Sequence, residues 1–524
     1  MRRMKSFAYI RQRAPEIVAF FCAVFMLLAV PLMFHDAFFD INRFKVAVVC
    51  RALPVFALLF AAALLLRGPG RFAFLQRGEK GERLPFAMMA VFLLACVISC
   101  ARTGFEEAVL TGSEGRYCGL HFLLCCGAAF GIIGWGVQDG RLLGCLAALC
   151  AAAIAALGFA NAMGLDPLGF YDRIRQGQQS MFLSTIGHFD FFGTYLTLIL
   201  PLAGGMYVFE ERLSWRMLGA LCAGVMAFGA SAARTDSAFL SMHLSCVVLL
   251  ALSGGSWPRL SRALILWGVC FLSLPVTKEA LSHSVFHPEI DGLLLILCDQ
   301  HIALLAALVL IAAGVLCALP MRRGVVPPSR KVTVRTSGII LMGMAALLLS
   351  GMLIFTVWAP EADIGKAASF LRLNDEWGSL RGAVYTRAVR AYADYGWIDK
   401  LFGRGLDLTL RILTPYFDDP AILVGGVFND THCQPLQFLL TCGLFGSAAF
   451  VALYGSLLAL LLRRAGDDPL LCGAFAALCG YLVTMLLNVT QPILIATYFS
   501  VAALAMARVK ALRQHAEGGI SHEP

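Results

Sequence analysis

The chain has 524 residues, 59% of them hydrophobic and only 14% charged, with a mean hydropathy of +0.77. A water-soluble fold could not hide that much apolar surface, so the composition excludes an ordinary soluble enzyme and indicates an all-α, polytopic integral membrane protein. The net charge of +9 is explained by basic residues gathered at one set of span ends, and no nucleic acid partner is needed.

In chain order, Met1 to Arg13 is basic. The apolar segment after it, from Ile17 to Phe34, lacks a small-residue cleavage site and is long enough to span, so it reads as a first helix and not as a signal peptide. Apolar runs then mark roughly fourteen spans of about 20 residues. Their cores are 17–35, 45–66, 84–101, 118–137, 142–163, 190–208, 214–233, 236–253, 260–277, 292–319, 337–358, 434–462, 470–488 and 491–508. Basic clusters at Arg2/Arg3/Lys5/Arg11/Arg13, Arg67/Arg71/Arg77/Lys80/Arg83, Arg322/Arg323/Arg330/Lys331/Arg335, Arg463/Arg464 and Arg508/Lys510/Arg513 assign those ends, and both termini, to the cytoplasm. The expected division is 1–358 as transmembrane helices with short loops, 359–431 as a large extracytoplasmic loop, and 432–524 as C-terminal helices and a cytoplasmic tail.

Most of the 18 cysteines lie inside apolar runs and read as small packing residues. Cys433 is the exception, since it adjoins a loop. No zinc-type spacing occurs. His283 and His287 have i,i+4 spacing, but Pro288 beside them favours a plain loop. Asp299-Gln-His301 interrupts an apolar run and marks where the next span begins.

Three positions stand out. Arg234 lies between two spans with almost no loop to hold it; a charge so near hydrocarbon marks a functional site by default, with Asp236 as the structural alternative partner. Within the long loop, Gly378 to Tyr395 reads as an amphipathic helix with Val384, Ala388, Ala391, Tyr392 and Tyr395 on one face. Arg381 falls at the edge of that face, and an inward arginine must be paired or reach water. His432 sits at the mouth of a span that continues to Leu462, with Asp430 or Thr431 as N-cap and Pro435 in the first turn. The positive end of the helix disfavours imidazolium there, so the ring is suited to act as a general base at the membrane surface. Two arginines and a neutral histidine suit an anionic headgroup, above all a pyrophosphate.

The segment around His432, with Leu436-Gln437 and Gly443/Gly446, resembles the signature of the O-antigen ligase and Wzy-type polymerase superfamily. Gly378-Ser-Leu-Arg-Gly-Ala-Val-Tyr385 with Phe402-Gly-Arg-Gly-Leu406 is similar to the family's Arg-Gly helix and Gly-x-Gly turn. Ser231 to Ala238 looks like its Ser-Arg element, Phe182 to Asp190 like its Gly-Asn-x-Asn loop, and Gly112 to Gly119 like a further outer-loop element. Together these cover most of residues 100–465 in family order. Cys433 stands where the family has asparagine, His188 and Asp190 replace two asparagines, and Thr235 follows Arg234 where glycine is common. The resemblance implies a metal-independent, inverting glycosyltransferase without cofactor. Its donor would be a polyprenyl-pyrophosphate-linked glycan and its acceptor a glycan or glycolipid, at the outer face of the cytoplasmic membrane. It implies His432 as base, Arg381 and Arg234 as pyrophosphate ligands, and Arg116, His188, Asp190, Arg404 and Gln437 as substrate-binding residues. The rival class is a flippase or transporter of lipid-linked oligosaccharide, which would show two repeated halves and broken helices near the midplane; no such repeat is visible in the sequence.

Overall fold

A computed structural model describes residues 2–67, 80–290, 292–417 and 430–519. It is a helical bundle. Among the described residues twelve helices are long and apolar enough to cross a membrane. They are α1 (Arg11–Leu32), α2 (Ile41–Arg67), α3 (Gly81–Arg102), α5 (Arg141–Ala162), α6 (Phe189–Phe209), α7 (Leu213–Ala232), α9 (Trp257–Ser282), α11 (Ile302–Arg322), α12 (Arg330–Trp358), α14 (Gln434–Arg464), α15 (Pro469–Leu487) and α16 (Pro492–Glu517). Two shorter apolar helices, α4 (Leu120–Gly136) and α8 (Asp236–Leu252), fill the remaining expected positions. The expected run at 292–319 is broken into α10 (Gly292–Asp299) and α11, with His301 at a φ of 55° in the junction. The polar triplet at 299–301 does mark a new helix start.

The helices alternate between two faces. One face carries Glu16 with Arg67, Glu82 with Arg513, and Asp468 with Arg141 and Arg508. The ends of α1 and α16 therefore lie on one side. The other face carries Asn42 bonded to Gly115 and Gln491, Arg102 with Asp399, Arg411 with Glu106, and Asp407 with Ser113. It is called the loop face below, because the long segment between α12 and α14 packs there.

Burial differs sharply among the helices. The most apolar stretch of α16 is wholly buried, whereas that of α12 is not buried at all. Alanines at 496, 502, 503, 505 and 507 keep α16 thin, so neighbours close on it from every side. Most Leu, Ile and Met side chains of α12, such as Ile339, Met342 and Leu347, face outward, as suits contact with lipid, while Met352 is buried.

The amphipathic helix of the long segment is α13 (Trp377–Ala393). Val384, Ala388 and Ala391 are fully buried and Tyr395 nearly so, as the periodicity requires. Arg387 turns aside to pair with Asp375 at 2.6 Å.

Candidate functional site

The expected N-cap of α14 is displaced. Neither Asp430 nor Thr431 occupies it; Cys433 does, with extended backbone and no side-chain cap. Pro435 still falls in the first turn. His432 precedes the cap in the left-handed region at a φ of 56°. Side chains of Asp430 and Thr431 instead fold the turn that holds the histidine. Asp430 Oδ1 accepts from His432 N at 2.7 Å, and Thr431 Oγ1 donates to the Cys433 carbonyl at 2.9 Å. Gln437, one turn into α14, accepts from Thr431 N at 3.2 Å and donates to Thr409 Oγ1 at 2.5 Å. Gln437 is nearly buried, and its amide is occupied in fixing this turn. The stretch 418–429, part of the expected extracytoplasmic loop, lies outside the described residues.

His432 Nδ1 lies 3.2 Å from the Asp430 carbonyl. A carbonyl only accepts, so Nδ1 carries the hydrogen and Nε2 keeps the lone pair. Burial, then the Arg381 and Arg116 guanidiniums, depress its pKa to about 3. The ring is neutral at any ordinary pH. Burial also raises the Cys433 thiol, which keeps it protonated and a poor nucleophile. On α13, Tyr385 donates to the His432 carbonyl at 3.2 Å and to the Leu486 carbonyl at 2.8 Å, tying the loop helix to α14 and α15. Arg381 lies one turn earlier. Its Nη1 donates to the Gly378 carbonyl at 2.5 Å, and its Nε is buried without a hydrogen-bond partner among the described residues.

A second histidine opens another membrane helix. A two-stranded hairpin, Phe182–Leu183 against Gly187–His188, delivers His188 to the N-cap of α6. Its turn is fixed from beneath by Lys45, which is almost wholly buried and donates to the Thr185 carbonyl at 2.6 Å and the Pro31 carbonyl at 3.0 Å. Asn161 accepts from Ser184 N at 2.8 Å. His188 Nδ1 accepts from Asp190 N at 3.4 Å, so the neutral ring presents Nε2–H, the opposite tautomer to His432. Burial lowers its pKa; Asp190 opposes that and Arg116 and Arg234 add to it.

Arg116 therefore acts on both histidines, and it is 7% exposed. Two buried carboxyls flank it electrostatically. Asp407 is raised to about 7 and Asp430 is also raised, both by burial, with Arg116 opposing each. Arg381 acts on His432 and Arg234 on His188, with Arg116 common to both. Arg234, at a φ of 56°, donates to the carbonyls of Ser180 at 2.6 Å and Glu289 at 3.4 Å and lies over the Phe189 ring. The carboxylate of Asp236 caps α10 through Leu293 N and Leu294 N.

Arg404 is held elsewhere. Its Nε pairs with Asp399 at 3.0 Å, beside Arg102, and its guanidinium stacks on Tyr395. The Gly-x-Gly turn around it has a structural task. At Gly443, φ 68° and ψ −172°, α14 breaks, and the carbonyls of Leu440 and Thr441 accept from Arg404 N and Gly405 N. A Cβ on Gly403 would stand 2.2 Å from the Thr441 oxygen, and one on Gly443 2.4 Å from the Leu401 backbone. Only glycine permits this interlock.

Left-handed backbone gathers at these elements. Tyr117 (next to Arg116), Ser184, Arg234, Leu380 (next to Arg381), Asp407 and His432 all have φ between 56° and 71°. Such conformations cost energy at non-glycine residues and concentrate at functional sites. Asp407, Asp430, Tyr385 and Lys45 escaped the sequence reading as site residues. The available signal was a lone charge in an apolar run, Leu406-Asp-Leu408 and Val46 to Val49 after Lys45. Among the described residues no group of three His, Cys, Asp or Glu side chains could hold a metal. His283 lies against Glu279, and His287 against the Ser282 carbonyl. Compared with known proteins, the sequence matches no family model and no curated protein.

Proposed function

We propose that this chain transfers a glycan from a polyprenyl-pyrophosphate carrier to an acceptor sugar hydroxyl at the outer face of the cytoplasmic membrane, as an O-antigen ligase or a surface-polysaccharide polymerase does. The loop face would be outward and both chain ends cytoplasmic, in keeping with the basic residues at the opposite face. One observation carries the reading. A neutral histidine, its Nδ1 set against the Asp430 carbonyl and its pKa depressed by burial and by the Arg381 and Arg116 guanidiniums, stands at the mouth of a membrane helix.

In the reaction, His432 Nε2 takes the proton from the acceptor hydroxyl as its oxygen attacks the anomeric carbon. The bond from that carbon to the phosphate oxygen breaks on the opposite side, and the pyrophosphate leaves with the electron pair. A single displacement inverts the anomeric centre. Arg381, Arg116 and Arg234 would meet the charge of the leaving pyrophosphate, and His188 would offer Nε2–H to it.

The test is His432→Ala in the purified chain. Transfer should fall by roughly 10²–10⁴-fold, the usual contribution of a positioned base, while the thermal midpoint stays near that of the wild type. Transfer at close to the wild-type rate would leave His432 as a mere interfacial anchor.

A further inference from the structure

The functional reading leaves unexplained why a carboxyl is buried in the Gly-x-Gly region. Asp407 is 6% exposed and has a left-handed backbone. Its Oδ2 accepts from Ser113 N at 2.7 Å and from Cys118 N at 3.3 Å. Ser113 Oγ in turn donates to the Asp407 main-chain carbonyl. One carboxylate oxygen thus pins both ends of a six-residue excursion, Ser113 to Cys118. Inside it the amides of Arg116 and Tyr117 turn back to the Ser113 carbonyl. Arg116 sits between the two pinned ends. From the bundle side, Asn42 holds the Gly115 carbonyl at 3.2 Å while it contacts Gln491 at 3.0 Å.

The geometry points to Asp407 as the positioning residue for Arg116: by closing the Ser113–Cys118 loop it fixes the backbone that carries that guanidinium. The inference rests on the proposed transfer reaction for its consequence, but not for its geometry. The charged and titratable groups acting on Asp407 are Arg116, on the pinned loop, and Asp430, on the segment leading into α14. The long loop thereby organises a residue it does not contain. Arg116 takes its working place only when the segment carrying Asp407 is docked on the loop between α3 and α4.

Asparagine keeps an oxygen to accept these amide hydrogens, and alanine does not. Four variants of the full chain in lipid nanodiscs separate the possibilities: Asp407→Ala, Asp407→Asn, Arg116→Ala, and Asp407→Ala combined with Arg116→Ala. Two quantities are read, the glycan transfer rate and the rate at which a small thiol reagent modifies Cys118, followed by peptide mass. Cys118 is buried at one end of the pinned loop, so it reports release of the loop whether or not any glycan moves.

Asp407→Ala should slow transfer roughly tenfold or more, as loss of two buried hydrogen bonds implies, and should speed Cys118 modification several-fold. Asp407→Asn should restore both to within about threefold of wild type, since it keeps the acceptor oxygen. The double variant should be no slower than Arg116→Ala alone, because a misplaced arginine and a missing one are equivalent. Multiplied losses in the double variant would overturn the proposal, as would equal losses in the alanine and asparagine variants or unchanged Cys118 modification in Asp407→Ala. If the wild-type chain transfers no glycan, the functional reading falls by itself. The Cys118 comparison then decides alone: faster modification in the alanine variant than in the asparagine variant supports Asp407 as the anchor, and equal rates overturn it.

Discussion

Positive charge is held differently on the chain-end face and around His432 on the loop face. On the face that carries the chain ends, buried arginines meet carboxylates. Arg508, 3% exposed, reaches Asp468 at 2.8 Å and Asp139 at 3.2 Å, and Arg513 meets Glu82. Around His432 the pattern changes. Arg381 donates to the Gly378 carbonyl, and Arg234 to the carbonyls of Ser180 and Glu289. Ion pairs lock the chain-end face together, whereas around His432 main-chain carbonyls aim the guanidiniums of Arg381 and Arg234.

That contrast can be broken from either side. The largest effect is expected on the chain-end face. Arg508→Ala leaves Asp468 buried with only Arg141, at 3.2 Å, still beside it. Breaking a buried pair from one side costs about 3–5 kcal/mol, eased here by the remaining arginine. The thermal midpoint should drop by several degrees, while the transfer rate per folded molecule is kept. A lost rate with an unchanged midpoint would place Arg508 in the chemistry and erase the distinction between the faces.

Arg381 should show the reverse. Replacement by Lys keeps the charge but removes the planar fork that grips two phosphate oxygens. A charge-assisted contact made chiefly in the transition state is worth about 1.5–3 kcal/mol, or roughly tenfold to more than a hundredfold in rate. The measurement is kcat for transfer beside the thermal midpoint. A fall in the midpoint with kcat retained would make Arg381 a structural residue of α13.

The pH response sharpens the same point at smaller scale. His432 and His188 both have depressed pKa values, chiefly through burial, with His432 at about 3 against an ordinary 6.5. The fold disfavours the protonated rings. Their contribution to stability is therefore complete above about pH 6.5 and is lost as pH falls, for His432 toward 3. The thermal midpoint should decline over that window, and less steeply in His432→Gln. The transfer rate should show no protonation of this base near pH 6.5. A rate that halves there and follows His432 would mean that the ring is well solvated.

Legibility in the sequence followed the range of the interactions. The helices, the break at 299–301 and the buried stripe of α13 depend on local periodicity, and each was readable. The N-cap of α14 was not, because Asp430 and Thr431 are drawn into contacts with Thr490 and Gln437 that no local rule contains. Arg116 looked secondary in the sequence because its importance lies in what surrounds it. Asp407 is nearly 300 positions away along the chain, and His188 and His432 come from different loops. Such convergence leaves no trace in spacing.

The smallest expected effect concerns Arg404, where the resemblance and the geometry part. The motif makes it a substrate ligand. In the fold its guanidinium already pairs with Asp399, shared with Arg102, and stacks on Tyr395. The backbone amides at 404 and 405, not the side chain, satisfy the carbonyls freed where α14 breaks. Arg404→Ala keeps those amides and both glycines of the turn. It removes one partly exposed ion pair and one ring contact, each worth about 1 kcal/mol or less. Transfer should stay within about threefold of wild type and the midpoint within a few degrees. Gly403→Ala, one position earlier, should be far more damaging, since its Cβ would collide with the Thr441 carbonyl. If Arg404→Ala instead costs as much activity as Arg381→Lys while the midpoint holds, the substrate reaches across the Gly-x-Gly turn and Arg404 leaves Asp399 to meet it.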